Sequence, residues 1–211
     1  MDWKRLNCVV EMQLHNLFPI PIGFANIDRS LSDEELIFIR NLETRPNTGN
    51  TTSFNNFVLR DPVLTSLRSF IEDSVSEYFK ATVNPKHNVS LKITQSWFNY
   101  SEPGQFHHKH AHPNSYISGV FYVQTNLSDK IYFYKECWQQ IKLTPETWNP
   151  YNSESWWYEA TVGKLILFPS SLTHMVPEVA GDKTRISLSF NTFPVGALGE
   201  EVDLTGLRLE V

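Results

Sequence analysis

Two periodicities divide the chain: apolar positions recur at helical spacing up to about residue 88 and alternate in the manner of strands from Val89 onward. Ser32-Asp33-Glu34-Glu35 has the form of a capping box, with Leu31 and Leu36 placed as a hydrophobic staple, and predicts a short helix running towards Leu42. Asp61-Pro62 supplies a second N-cap and a first-turn proline. Behind it Leu64, Leu67, Ile71, Val75 and Tyr78 predict a helix through about Phe79. Val89–Tyr100, Ser115–Thr125, Lys130–Lys135, Trp156–Thr161, Lys164–Phe168 and Thr184–Phe193 are runs of β-branched and aromatic residues, separated by turns such as Pro103-Gly104 and Ala180-Gly181-Asp182. Helices followed by strands predict an α+β fold, with the helices packed on one face of a largely antiparallel sheet or sandwich. The segment Trp138–Tyr158 is mostly polar yet holds four of the six tryptophans, which reads either as a lid or as structural aromatics of the sheet.

Composition narrows the class. A chain of 211 residues without repeat or linker is read as a single domain over 1–211, with a helical part to about 88 and a strand-rich core over about 89–195. At 41 % hydrophobic residues it is too apolar to be disordered. No run spans a bilayer and the N-terminus carries no signal-peptide pattern, so no membrane association is expected. Cys8 and Cys137 give neither a disulfide framework nor a paired-cysteine zinc signature. A net charge of −5 argues against a nucleic-acid partner. The expectation is a soluble, cytoplasmic protein.

Four of the seven histidines fall in Phe106-His107-His108-Lys109-His110-Ala111-His112-Pro113-Asn114. Residues two apart on an extended segment face the same way, so either His110 with His112 or His108 with His110 can offer two imidazoles to one ion. Some sixty residues on, Gly163–Pro169 is an apolar strand that breaks and delivers His174. In the last long strand Arg185, Ser187 and Ser189 share one face, while Ile186, Leu188 and Phe190 point to the core. An arginine beside a serine makes a good carboxylate clamp. Taken singly, a histidine is commonly a core or surface residue, and a strand arginine is commonly solvated.

The order of these parts resembles the 2-oxoglutarate- and Fe(II)-dependent oxygenases, and in particular a small group carrying a His-x-His-Pro-Asn-Ser stretch. The resemblance covers about Ile93 to Val195: Tyr100, Pro103-Gly104 and Phe106 precede His110-Ala111-His112, and His174 precedes Arg185-x-Ser187. It implies a double-stranded β-helix, the cupin-like jelly roll, with the N-terminal helices packed on one sheet. It also implies His110 and His174 as metal ligands, with His112 where most members place a carboxylate. Arg185 and Ser187 would hold the far carboxylate of 2-oxoglutarate, and Tyr100 and Asn99 would bond the same cosubstrate. Asn99 and Asn114 are candidates for fixing the histidine tautomers.

The resemblance implies a dioxygenase using Fe(II), 2-oxoglutarate and O2 to hydroxylate a C–H bond of an amino-acid, peptidyl or small-molecule substrate, with release of succinate and CO2. A three-histidine set also suits zinc, the carbonic-anhydrase type of site. The rival readings are a cupin-type metalloenzyme that does not use 2-oxoglutarate, and a non-catalytic jelly-roll module. Lys109 and His108, beside the metal, are candidates for an anionic substrate group or for a solvated rim. A homodimer joined through sheet edges is an arrangement that such jelly rolls adopt.

Overall fold

The computed structural model describes residues 12–136, 141 and 143–210, so Trp138 of the predicted lid lies outside the described residues. In chain order the elements are β1 (Gly23–Asn26), α1 (Asp33–Arg40), β2 (Thr44–Pro46), β3 (Thr51–Ser53), α2 (Thr65–Thr82), β4 (Val89–Ser101), β5 (His107–His110), β6 (Ile117–Gln124), β7 (Lys130–Tyr134), β8 (Ser155–Glu159), β9 (Lys164–Pro169), β10 (His174–Val176), β11 (Arg185–Leu198) and β12 (Leu207–Leu209). A large sheet runs β1-β9-β6-β11-β4-β3-β2, with β12 also on β11; a small sheet runs β5-β10-β7-β8. The pairs within both sheets are antiparallel, and the two sheets form an open jelly roll.

Both predicted helices form. Ser32 caps α1: its hydroxyl accepts from the Glu35 amide at 3.2 Å, and its own amide donates to the Glu35 carboxylate at 2.7 Å. Arg29 closes the same carboxylate with two bonds of 2.7 Å, which holds the buried Glu35 carboxyl below its usual range. Asp61 accepts from the Val63 amide and starts a 3-10 turn over Pro62–Leu64 that leads into α2.

The apolar stripe of α2, Leu67, Ile71, Val75 and Phe79, is buried against Ile186, Leu188 and Phe190 of β11 and Phe98 of β4. Each such side chain stabilises the fold by roughly 1.5–3 kcal/mol. This core covers the outer face of the large sheet. A second cluster, Val120, Tyr122, Ile131, Phe133, Ile166 and Phe168, fills part of the space between the sheets. Gly119 sits where an added Cβ would fall 2.3 Å from Cζ of Phe190, so only glycine lets that ring lie flat against β6.

The N-terminal part is less purely helical than its periodicity predicts. It also lays β1, β2 and β3 along the large sheet, and strands of three or four residues are too short to show an alternation. Of the aromatic segment, Trp156 and Tyr158 of β8 lie opposite Phe133 and Ile131 of β7, and Tyr158 packs on the second cluster. Trp148 and Tyr151 are exposed. No helix among the described residues is long and apolar enough to cross a membrane.

Candidate metal centre

Strands β5 and β10 pair so that His110 lies directly opposite His174, which turns both rings to the same side. His112 follows β5 in a loop whose position is fixed from behind: its amide donates to the Ser170 carbonyl at 2.9 Å. Beyond it Ser115 and Ser118 each share a hydrogen bond with the Ser170 hydroxyl, at 2.7 and 2.8 Å, and Ser118 donates to Asn191 at 2.8 Å. The ligand atoms of His110, His112 and His174 all lie within 4.8 Å of one another, and Nε2 of His112 is 3.3 Å from Nε2 of His174.

Backbone carbonyls set the tautomers of two of these rings. Nδ1 of His110 donates to the His108 carbonyl at 2.7 Å, and Nδ1 of His174 donates to the Leu172 carbonyl at 3.0 Å. A carbonyl can only accept, so both Nδ1 atoms carry the proton and both Nε2 lone pairs are free. Asn99 and Asn114 do not serve this purpose. Asn99 donates to the Ser189 hydroxyl at 3.0 Å, and Asn114 occupies an exposed turn with a φ of 56°.

Burial, and then repulsion between neighbouring rings, pushes His112 down to about 3 and His174 to about 4. His110 moves in the same direction, chiefly through burial. The rings are therefore neutral at pH 7, the state a metal ion requires. His107, His108 and His110 form a second cluster of the same tightness. With Nδ1 of His110 engaged, however, only one nitrogen remains for either cluster, so the two cannot both be filled.

Arg185, Ser187 and Ser189 of β11 line the same narrow cavity as the three histidines, as the strand alternation predicts. Arg185 is only 3 % exposed, and no acidic side chain among the described residues forms a salt bridge with it. Its guanidinium lies 5.3 Å from the centre of the Tyr122 ring and 3.5 Å from the Lys130 carbonyl. Arg185 Nε, the Tyr122 hydroxyl and Asn99 Oδ1 are all buried without a hydrogen-bond partner among the described residues. Burial pushes the Tyr122 hydroxyl up to about 12, so it stays protonated and can donate.

Tyr100 requires a correction. Its hydroxyl donates to the Ile39 carbonyl at 2.5 Å and its ring packs on the outer core, away from the cavity. Adjacent residues of a strand face opposite sides, so Asn99 and Tyr100 cannot both reach the cosubstrate position. Tyr122, opposite Ser187 across β6 and β11, stands on the cavity side instead. Sequence reasoning missed it because β6 is buried along nearly its whole length, which leaves no polar face to distinguish. It also missed Trp97 and His107 as lining residues; His107 is pushed down to about 3, chiefly by burial. Lys109 points away and lays its ammonium 4.0 Å over the Tyr134 ring.

On the other side of the histidines an open cleft is lined by Arg45, Asn47, Asn56, Gln95, Trp97 and His108, among others. Its volume is about 340 Å³, against about 30 Å³ for the inner cavity. His107, His110 and His112 border both spaces, and His174 borders the inner one.

Residues 95–191 match the family described as "Putative 2OG-Fe(II) oxygenase". No curated protein is significantly similar in sequence. Among solved structures the fold is similar to HygX from Streptomyces hygroscopicus with nickel and 2-oxoglutarate bound, at 12 % identity and a TM-score of 0.57 over 90 % of this chain and 92 % of that one. It is also similar to a prolyl-4-hydroxylase from Pseudomonas putida, at 12 % identity and a TM-score of 0.53 over 82 % of this chain and 92 % of that one. A third is the Trichoplax adhaerens prolyl hydroxylase in complex with a hypoxia inducible factor peptide fragment, at 14 % identity and 0.56 over 81 % and 83 %.

Proposed function

We propose, from the match of residues 95–191 to the family described as "Putative 2OG-Fe(II) oxygenase", that the chain is an Fe(II)- and 2-oxoglutarate-dependent dioxygenase with His110, His112 and His174 as its metal ligands. Three neutral imidazoles suit a divalent first-row ion; the family description names iron with 2-oxoglutarate, and the similar HygX structure holds nickel with 2-oxoglutarate. When bound, iron, 2-oxoglutarate and O2 would together supply the oxidising chemistry that hydroxylates a C–H bond, with one oxygen atom going to the product and the other to succinate as CO2 leaves.

The observation that carries this reading is Arg185. A buried guanidinium without an acidic partner is costly, and the cost disappears when an anion enters beside it. Arg185, the Tyr122 hydroxyl and Ser187 would hold the distal carboxylate of 2-oxoglutarate. The cavity is narrow, so a five-carbon diacid enters only as the lining side chains give way. Of the unpartnered atoms of the cavity wall, an anionic guest supplies an acceptor for Arg185 Nε and a hydroxyl or amide donor supplies a partner for Asn99 Oδ1.

The chain's remaining contributions are positional. The carbonyls of His108 and Leu172 keep two ligand rings from rotating. Asn99, tied to Ser189, and Trp97 close the wall between the two spaces. Among similar structures HygX is found with hygromycin B bound and the Trichoplax adhaerens prolyl hydroxylase in complex with a peptide fragment, so ligands of both kinds occur on this fold. The substrate here is a small molecule or a peptidyl group.

Anaerobic addition of Fe(II) and 2-oxoglutarate to the metal-free protein tests the reading. A weak visible charge-transfer band is expected. Its absence, with zinc retained through purification, overturns the reading in favour of a three-histidine enzyme that does not use 2-oxoglutarate.

A further inference from the structure

We infer that the outer cleft binds an amino-acid-sized substrate through its carboxylate, with Arg45 as the residue that determines this specificity. The inference rests on the dioxygenase reading above.

Arg45 stands at one end of a row that crosses the large sheet. It lies opposite Thr52, which lies opposite Asn99, which lies opposite Ser187, which lies opposite Tyr122. Directly paired residues share a face, so all five side chains leave the sheet on the side of the histidines. Neighbouring strands are about 4.8 Å apart, which puts the Arg45 backbone about 10 Å from that of Asn99. The two arginines therefore flank the candidate metal centre. Arg185 is buried in the inner cavity, and Arg45 is exposed at the cleft.

The cleft's chemistry is selective. Among the described residues none that lines it is acidic, although the chain as a whole carries five more acidic than basic residues. The Arg45 guanidinium meets only neutral groups among the described residues: the Asn56 side-chain oxygen at 3.2 Å and the face of Phe54 at 5.6 Å. Its remaining donors form a fork of the kind that takes both oxygens of a carboxylate. Asn47, Asn56 and Gln95 add amide groups that can hydrogen-bond a backbone-like amide, and Trp97 adds a flat apolar wall. A polycation is disfavoured by the same arginine. A cleft of about 340 Å³ has room for a ligand of roughly amino-acid to dipeptide size.

The test is anaerobic calorimetric titration of the protein, loaded with Fe(II) and 2-oxoglutarate, with free and N-acetylated amino acids and with the carboxamide of each. At least one carboxylate is expected to bind at least about tenfold more tightly than its carboxamide. R45Q is expected to remove that preference and to weaken the carboxylate about 10- to 100-fold, while R45K, a point charge without the fork, keeps part of it. The visible band of the loaded complex is read on every sample. If the band forms but no carboxylate is preferred, or if R45Q binds as the unsubstituted protein does, the inference is overturned and the dioxygenase reading stands. If the band fails to form in the unsubstituted protein, both fall.

Discussion

On one side of β11, Ile186, Leu188 and Phe190 are buried against α2; on the other, Arg185, Ser187 and Ser189 face a cavity where Arg185 Nε and Asn99 Oδ1 have no hydrogen-bond partner among the described residues. Both sides are shielded from water. The first is satisfied by the chain itself, whereas the second is left incomplete. A second contrast sharpens the point: Arg29 finds its anion in Glu35 through two bonds of 2.7 Å, and Arg185 finds none among the described residues. A folded chain that leaves a buried cation without an anion has stability set aside for a ligand.

Substitutions on the two faces should therefore fail in different ways. The largest effect is expected for H174A, which removes one of three clustered nitrogens and should abolish the iron–2-oxoglutarate band, with metal affinity falling at least about 100-fold; titration with Zn(II) or Fe(II) measures it. R185M should also abolish 2-oxoglutarate binding, yet raise the stability of the metal-free protein by about 1–3 kcal/mol in urea, because an uncompensated charge is replaced by an apolar side chain of similar length. A drop in stability would mean that Arg185 is a structural residue. L188A, on the opposite face, should cost about 2–5 kcal/mol while the folded fraction keeps the band.

The two tyrosines separate the faces more finely. Y122F should weaken 2-oxoglutarate several-fold, whereas Y100F should leave its affinity alone and cost about 1 kcal/mol for the lost bond to Ile39. The smallest effect concerns acid. The folded pKa of Glu35 lies below its unfolded value, so its contribution is present above the unfolded pKa and is lost as the pH falls through the folded one. E35Q should lower stability at pH 7 by about 1–3 kcal/mol and flatten the dependence below about pH 4.5.

Much of this arrangement can be read in the sequence wherever one face of an element is wet or a cap has a fixed spelling. The Ser32–Glu35 box, the stripe of α2 and the alternation of Arg185, Ser187 and Ser189 with Ile186, Leu188 and Phe190 are local signals with a single physical solution. The register that sets His110 against His174 is not local: it depends on two short strands, β5 and β10, meeting across some sixty residues of chain. Resemblance to a family supplied that pairing. It also misplaced the tyrosine, since Tyr100 and Asn99 were assigned to one cavity although the pleat separates them. Tyr122 was hidden because both faces of β6 are covered, and an unbroken apolar run does not say which side is special.

The knot of hydroxyls behind His112 bears on how an ion would be captured. Ser115, Ser118 and Ser170 brace one another, and the amide of His112 hangs from the Ser170 carbonyl. No loop has to close for the third imidazole to come into line. Uptake of the ion should thus be limited by its loss of hydration water, with little change in amide exchange around residues 112–118. In this respect the jelly roll acts as a preset socket, unlike a zinc finger, which folds around its guest.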